Sequence, residues 1–499
     1  MNLYQIFRDR FEACFDRPFL LSPGESVCSY GDIDRLSACF ATALKQEGVN
    51  AGDRVVVQVD KSAGAVALYL ACLRIGAIYV PLNVAYTAAE VAYFLSDAAP
   101  ALFVCRPESN DLFAGVARQE RVPVTHTLGT SLDGSIGHLT HYLAPLAALT
   151  ERAPDNVAAI LYTSGTTGRS KGAMLTLENL ASNALTLHDY WGFRPGDILL
   201  HVLPIFHVHG LFVALHCAML NASSVIFLPR FDTGVVRNAL PDATVMMGVP
   251  TYYTRLLDNE DFAREDCSNI RLFISGSAPL SEQTFAEFEQ RTGHRILERY
   301  GMTETNMITS NPLDGERIAG TVGYALPGID VRVTSDSGEP LSPGEVGSVE
   351  LKGPNVFIGY WRMPEKTAQE FRHNGFFITG DLGQLAQDGR LSLVGRSKDL
   401  IICGGYNIYP KEVESVIDEL SGVVESAVIG IPHADFGESV IAIVVTSKDQ
   451  PVSAASIMEA TALQLARFKR PRRVILVDEL PRNTMGKVQK NILRNRYGS

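Results

Sequence analysis

The chain has 499 residues, 46% of them hydrophobic and 20% charged, which is too long for one compact core and typical of a soluble globular protein. A formal charge of −11 argues against general binding to nucleic acid or to an anionic membrane, so an anionic ligand must be held by local cations and backbone N–H groups. Its eight cysteines form no CxxC and no paired spacing, which suggests free thiols in a reducing compartment and excludes a disulfide frame or zinc site.

In chain order, the first segment, MNLYQIFRDRFEACF, carries Arg8, Asp9, Arg10 and Glu12 and lacks the apolar centre of a signal peptide, so a cytoplasmic location is expected. Near-continuous apolar runs follow: DRVVVQVD (53–60), ALFVC (101–105), VAAILYT (157–163), SVIFLP (224–229), ATVMMGV (243–249) and IRLFISG (270–276). Such runs suit strands buried on both faces of a parallel sheet. Helical patterns lie between them, at 61–75 and from Ser281 through Phe285 and Phe288, which predicts an α/β layout. Ile198 to Pro229 contains no charged residue and is long enough to span a bilayer. Pro204, Asn221 and four histidines (His201, His207, His209, His216) interrupt it, so it reads as a core segment with a buried strand at each end. From Val331 to Leu351, short runs separated by SDSGEP and SPGE predict a small antiparallel unit.

A boundary is expected at GRSKDLI (395–401), dividing a large N-terminal domain, 1–396, from a small mobile α/β domain, 397–499. In the latter, PKEVESVIDEL places Val413, Val416, Ile417 and Leu420 at helical spacing, and ESAVIGIP and SVIAIVVT read as strands.

The most informative stretch is LYTSGTTGRSKGAML (161–175), a glycine-rich loop that follows a buried strand. Such a loop turns free backbone N–H groups towards an anion, and its hydroxyls and Lys171 add donors and charge. It is not a Walker A loop, because Ser170 stands five residues after Gly165, and no GxGxxG is present. Seven further motifs follow in order: LPIFHVHGL (203–211), ISGSAPLS (274–281), RYGMTET (299–305), TGD (379–381), GRSKDLI (395–401), GGYNIYPKEVE (404–414) and LPRNTMGK (480–487).

Together these motifs resemble the adenylate-forming superfamily of acyl-CoA synthetases, luciferases and adenylation domains, over nearly the whole chain. The resemblance implies a two-step reaction. A carboxylate attacks the α-phosphorus of MgATP to give acyl-AMP and pyrophosphate, and a thiol then displaces AMP. It implies that Thr163, Ser164, Gly165, Thr166, Thr167, Gly168 and Lys171 hold the β- and γ-phosphates. Glu304 would carry Mg²⁺, and Thr303 would contact the α-phosphate. Gly276, Ser277, Ala278 and Pro279, with Arg299, Tyr300, Gly301 and Met302, would line the nucleotide. Asp381 would accept the ribose hydroxyls, assisted by Arg396. Lys487 would be the catalytic lysine between the substrate carboxylate and the α-phosphate, and Lys398 the hinge about which the small domain turns. That turn would bring Gly404 and Gly405 to the CoA arm. The PRNTMGK motif also resembles a site of lysine acetylation, so an acetyltransferase and a deacetylase acting on Lys487 are implied partners.

Within the superfamily, these stretches look most like the malonate-activating CoA ligases, and methylmalonate could also be accepted. Malonate keeps a charged distal carboxylate, so its pocket needs a buried cation with matching hydrogen bonds. Arg255, just after a predicted strand, is the candidate, with Ser277, His207 and His209 lining the acid site. A ligase for another short acid such as oxalate is the nearest alternative, followed by a stand-alone adenylation domain that loads a carrier protein. The run RFKRPRR (467–473) reads as a solvated face or as a contact for CoA phosphates.

Overall fold

A computed structural model of the chain describes every residue except 1, 25, 164–169, 404–405, 434–435, 448, 484–485 and 499. The apolar runs become strands: Leu102–Cys105, Val245–Gly248 and Leu272–Ser275 are buried throughout, Arg54–Gln58 and Val157–Thr163 are buried apart from their ends, and Ser224–Phe227 alternates buried with half-buried residues. They divide between two large sheets. One is seven-stranded, with Ile78–Pro81, Arg54–Gln58, Leu102–Cys105 and Val124–Thr127 parallel and the hairpin Val157–Thr163/Lys171–Thr176 antiparallel. The other is nine-stranded, with a parallel centre running from Pro18–Leu21 to Leu297–Met302 and antiparallel strands at both edges.

Helices cover the sheets, and caps set where they begin. Ser62 accepts the Ala65 N–H at the start of Ala63–Ile75, and Ser281 accepts the Thr284 N–H at the start of Glu282–Thr292. Ala63–Ile75 is buried on every side, which explains its nearly uninterrupted apolar sequence. The uncharged stretch from Ile198 to Pro229 does hold a buried strand at each end, Ile198–His201 and Ser224–Phe227. Between them runs a buried helical segment that the sequence reading did not anticipate, a π-helical His209–Leu215 continuing into His216–Leu220. Among the described residues, no helix is long and apolar enough to cross a membrane.

The antiparallel unit is larger than its sequence pattern suggested. Asp330–Thr334 and Gly347–Lys352 are joined by Phe377–Leu385 and Leu391–Arg396 in a four-stranded sheet. After Arg396 the chain builds a separate five-stranded sheet, in which Val423–His433 and Gly437–Thr446 form a long hairpin and Arg473–Val477 runs parallel to the latter. All eight cysteines are free thiols.

Candidate active site

Val157–Thr163 and Lys171–Thr176 pair with Thr163 opposite Lys171. The candidates Ser164, Gly165, Thr166, Thr167 and Gly168 lie outside the described residues, and the residues beside them, Thr163 and Ser170, are anchored. Thr163 Oγ1 donates to the Lys171 carbonyl at 3.4 Å, and the Tyr93 hydroxyl donates to the Ser170 carbonyl at 2.6 Å. Lys171 Nζ stands 4.2 Å from the Tyr360 ring centroid and 3.6 Å from a Glu370 oxygen. Tyr360 in turn donates its hydroxyl to Glu304 Oε1 at 2.9 Å. Burial pushes the Glu304 carboxyl upward, and the Tyr360 hydrogen bond with the charges of Arg396 and Lys171 oppose that shift. The candidate phosphate-binding lysine and the candidate metal carboxylate are thus joined through one tyrosine, a residue that no local sequence signal links to either.

Leu297–Met302 and Asn306–Ser310 form an antiparallel pair, and the turn between them presents half-buried Thr303 next to Glu304. At the other end of the site, Tyr300 donates its hydroxyl to Asp381 Oδ2 while Arg396 Nε meets Asp381 Oδ1 at 2.8 Å. The Asp381 backbone N–H is held by Thr379 Oγ1 at 3.0 Å. Cross-strand register explains the Arg396 pair, because Asp381 lies directly opposite Arg396 in the four-stranded sheet. Gly301, Met302 and Ala278 are half-buried and Pro279 is exposed.

Ser275 ends a central parallel strand, and the chain turns sharply there. Ser277 has a left-handed φ of 72°, a conformation costly for any residue with a Cβ and characteristic of functional turns. A Cβ on Gly276 would lie 2.4 Å from the guanidinium carbon of Arg299, so only glycine allows this approach. Arg299 is 2% exposed, and its Nε and Nη2 have no hydrogen-bond partner. Burial pushes its pKa down to about 9, partly offset by Tyr253 and Glu298. Glu298 is itself buried and pushed up to about 7; its Oε1 accepts the Leu280 N–H at 3.1 Å and its Oε2 is unpartnered.

His207 and His209 border the same region. Burial, then the Arg299 and Lys487 charges, push His207 down to about 4, and burial and Arg299 push His209 well below its ordinary value. Both are therefore neutral at pH 7. His207 Nδ1 accepts the His209 N–H at 3.3 Å, His209 Nδ1 lies 3.3 Å from Ser277 Oγ, and His209 Nε2 is buried without a partner. Neutral imidazoles can orient an acid but cannot balance its charge. The buried cation beside these histidines is Arg299, read from the sequence as a nucleotide contact. Arg255, read as the buried cation, is instead exposed on Pro250–Leu257, where its charge acts on Tyr252, Asp258 and Arg482. The sequence reading assigned it a buried place because it follows a strand closely, but helical phase turns it outward.

Lys487 comes to this site from the far end of the chain. The Asn483 N–H donates to the Lys487 carbonyl and the Lys487 N–H to Asn483 Oδ1, both at 2.9 Å. Gly486 sits at φ 76°, and a Cβ there would lie 3.1 Å from Thr251 Oγ1, so Gly486 abuts the helix Pro250–Leu257. The Lys487 side chain is exposed to solvent. Desolvation by the surrounding protein, then Arg396, push it down to about 8, with Asp381 and Asp399 opposing. Lys398 is exposed in the turn Ser397–Asp399, beside an Arg494–Asp399 ion pair of 2.7 Å. Gly404 and Gly405 lie outside the described residues; Ile402 and Tyr406, on either side, are exposed.

Residues 7–361 match the AMP-binding enzyme family, and residues 412–487 match the AMP-binding enzyme C-terminal domain. The chain belongs to the AMP-binding enzyme family. Among its relatives, a mitochondrial malonate–CoA ligase of Mus musculus is 34% identical, over 95% of this chain and 86% of that protein. A long-chain-fatty-acid–CoA ligase of Mycobacterium tuberculosis is also 34% identical, over 94% of this chain and 93% of that one. The ATP-bound MatB of Rhodopseudomonas palustris is 51% identical and superposes with a TM-score of 0.97, covering 100% of this chain and 99% of that one. The apo form of the same protein gives 0.86. Family membership brings an AMP-forming ligase chemistry, with ATP and CoA as co-substrates, to this chain.

Proposed function

We propose that the enzyme is a malonate–CoA ligase, converting malonate, ATP and CoA to malonyl-CoA, AMP and pyrophosphate through malonyl-AMP. The observation that carries the acid assignment is Arg299, a buried guanidinium with two unpartnered nitrogens beside two neutral histidines. An alkyl chain has no use for such a cation, whereas a second carboxylate supplies the partner it lacks. Ser277 and His209 add neutral polar groups of matching polarity. The relationship to malonate–CoA ligases supports the same reading, and the equally similar fatty-acid ligase is why the pocket must decide it.

In the first step, the proximal carboxylate attacks the α-phosphorus while Lys487 and Thr303 offset the charge that gathers between two anions. Asp381, its own geometry set by Tyr300 and Arg396, accepts from the ribose hydroxyls. Lys171 meets the terminal phosphates. Glu304 suits Mg²⁺, being a buried carboxylate with one oxygen held by Tyr360, since this ion is usually bound by one or two carboxylates and the substrate phosphates. When bound, Mg²⁺ screens the phosphate charge. In the second step the CoA thiol displaces AMP after Lys487 withdraws about Lys398.

The test is pyrophosphate release with MgATP over malonate, methylmalonate, oxalate, succinate, acetate and octanoate, with and without CoA. Malonate should lead, with a thioester formed only when CoA is present. A preference for octanoate or acetate would reject the role given to Arg299.

A further inference from the structure

Lys61 lies outside the machinery above, yet it is placed unusually. It follows the parallel strand Arg54–Gln58 of the seven-stranded sheet, and its side chain crosses to the carboxyl ends of two strands of the other large sheet. Its ammonium donates to His201 Nδ1 at 2.8 Å, to the His201 carbonyl at 2.9 Å and to the Leu228 carbonyl at 2.6 Å, and lies 4.3 Å from the Phe227 ring centroid. An ammonium has three N–H groups, and all three go to neutral acceptors. A lysine so enclosed costs stability, and burial pushes its ammonium well below the ordinary value. A methionine would join the two sheets more cheaply.

The contact with His201 has a second consequence. Because Nδ1 accepts from Lys61, the imidazole proton sits on Nε2, which lies 2.9 Å from the Gly210 carbonyl and donates to it. Gly210 is the second residue of the π-helical turn that begins at His209, and a Cβ there would lie 2.1 Å from the Pro204 carbonyl. The turn therefore has no slack between Pro204 and Gly210, and His209 at its start contacts Ser277. A relay runs from Lys61 through His201 and Gly210 to His209.

We infer that Lys61 is a positioning residue for the acid site, fixing the His201 tautomer so that His201 holds the turn presenting His207 and His209. The inference rests on those histidines lining the acid site, as proposed above. It does not depend on which acid is the substrate.

The test compares Lys61→Met, Lys61→Gln, His201→Phe and the Lys61→Met/His201→Phe double variant, using whichever acid the wild-type enzyme turns over best. Lys61→Met should raise KM for the acid about ten- to a hundredfold, the scale of a reacting group misplaced from a distance, with KM for MgATP within about twofold. Lys61→Gln keeps an N–H for His201 Nδ1 and should fall in between. His201→Phe should reproduce the acid defect, and the double variant should be no worse than the worse single, because both changes break one relay. If Lys61→Met does not fold, Lys61→Gln and His201→Phe decide by the same comparison of the two KM values. Losses that multiply in the double variant, equal rises in both KM values, or unchanged acid KM overturn the inference. A wild-type preference for an acid other than malonate would revise the substrate and leave this comparison standing.

Discussion

Replacing Arg299 by methionine should leave the protein at least as stable and make it less active, a combination that separates a ligand-binding cation from a structural one. In the free protein the guanidinium is 2% exposed, with Nε and Nη2 unpartnered, so its desolvation is uncompensated. Exchanging a buried charge for a hydrophobic group of similar volume is often neutral or stabilising by about 1–4 kcal/mol. With malonate bound, the same change leaves the distal carboxylate without its cation. Truncating one member of a buried charge pair costs about 2–5 kcal/mol, or roughly thirtyfold to several thousandfold in kcat/KM. Thermal unfolding and initial rates on one preparation measure both effects. The expected result is an unchanged or higher Tm, kcat/KM for malonate down at least about thirtyfold, and MgATP binding within about twofold. Malonate turnover within about threefold of wild type, or a fall in Tm together with lost ATP binding, would refute the argument.

Lys487, the proposed catalytic ammonium, has its pKa pushed down to about 8, so adenylation should fall as pH rises through that value. Lys487→Gln should lower adenylation about 10²–10³-fold, while transfer from supplied malonyl-AMP to CoA persists; an equal loss in both half-reactions would contradict its assigned step. Glu298, raised to about 7, binds its proton more tightly in the folded chain, so between the ordinary glutamate range and pH 7 stability falls as pH rises. Glu298→Gln should therefore raise Tm at pH 8 and leave it nearly unchanged at pH 4, with the Leu280 N–H still accepted by the amide oxygen. Tyr360→Phe keeps the ring facing Lys171 but strips the hydrogen bond from Glu304. It should cost about 1–3 kcal/mol of stability and raise the Mg²⁺ concentration for half-maximal adenylation, read from unfolding and from a metal titration.

Much of the chemistry was legible before any fold was known, because it resides in contiguous stretches. The parallel strands announced themselves as uninterrupted apolar runs, since a strand covered on both faces has no solvent side to alternate with. Thr163, Lys171, Thr303, Glu304, Asp381, Arg396 and Lys487 stand in contiguous motifs, and the resemblance of those motifs to the adenylate-forming superfamily is what implies their roles. The buried helical segment inside Ile198 to Pro229 was missed, because apolar periodicity cannot separate a wholly buried helix from a buried strand. Which arginine is buried was equally hidden. Arg255 follows a strand closely and Arg299 stands within one, and only the turn of a helix and the bare backbone of Gly276 decide that one faces solvent and the other is buried. Tyr360 on Glu304, and Lys61 on His201, join residues 56 and 140 positions apart. Local sequence determined the reaction class. Tertiary packing alone decided which charges lose their water, and in the function proposed above it is burial of charge that selects the acid.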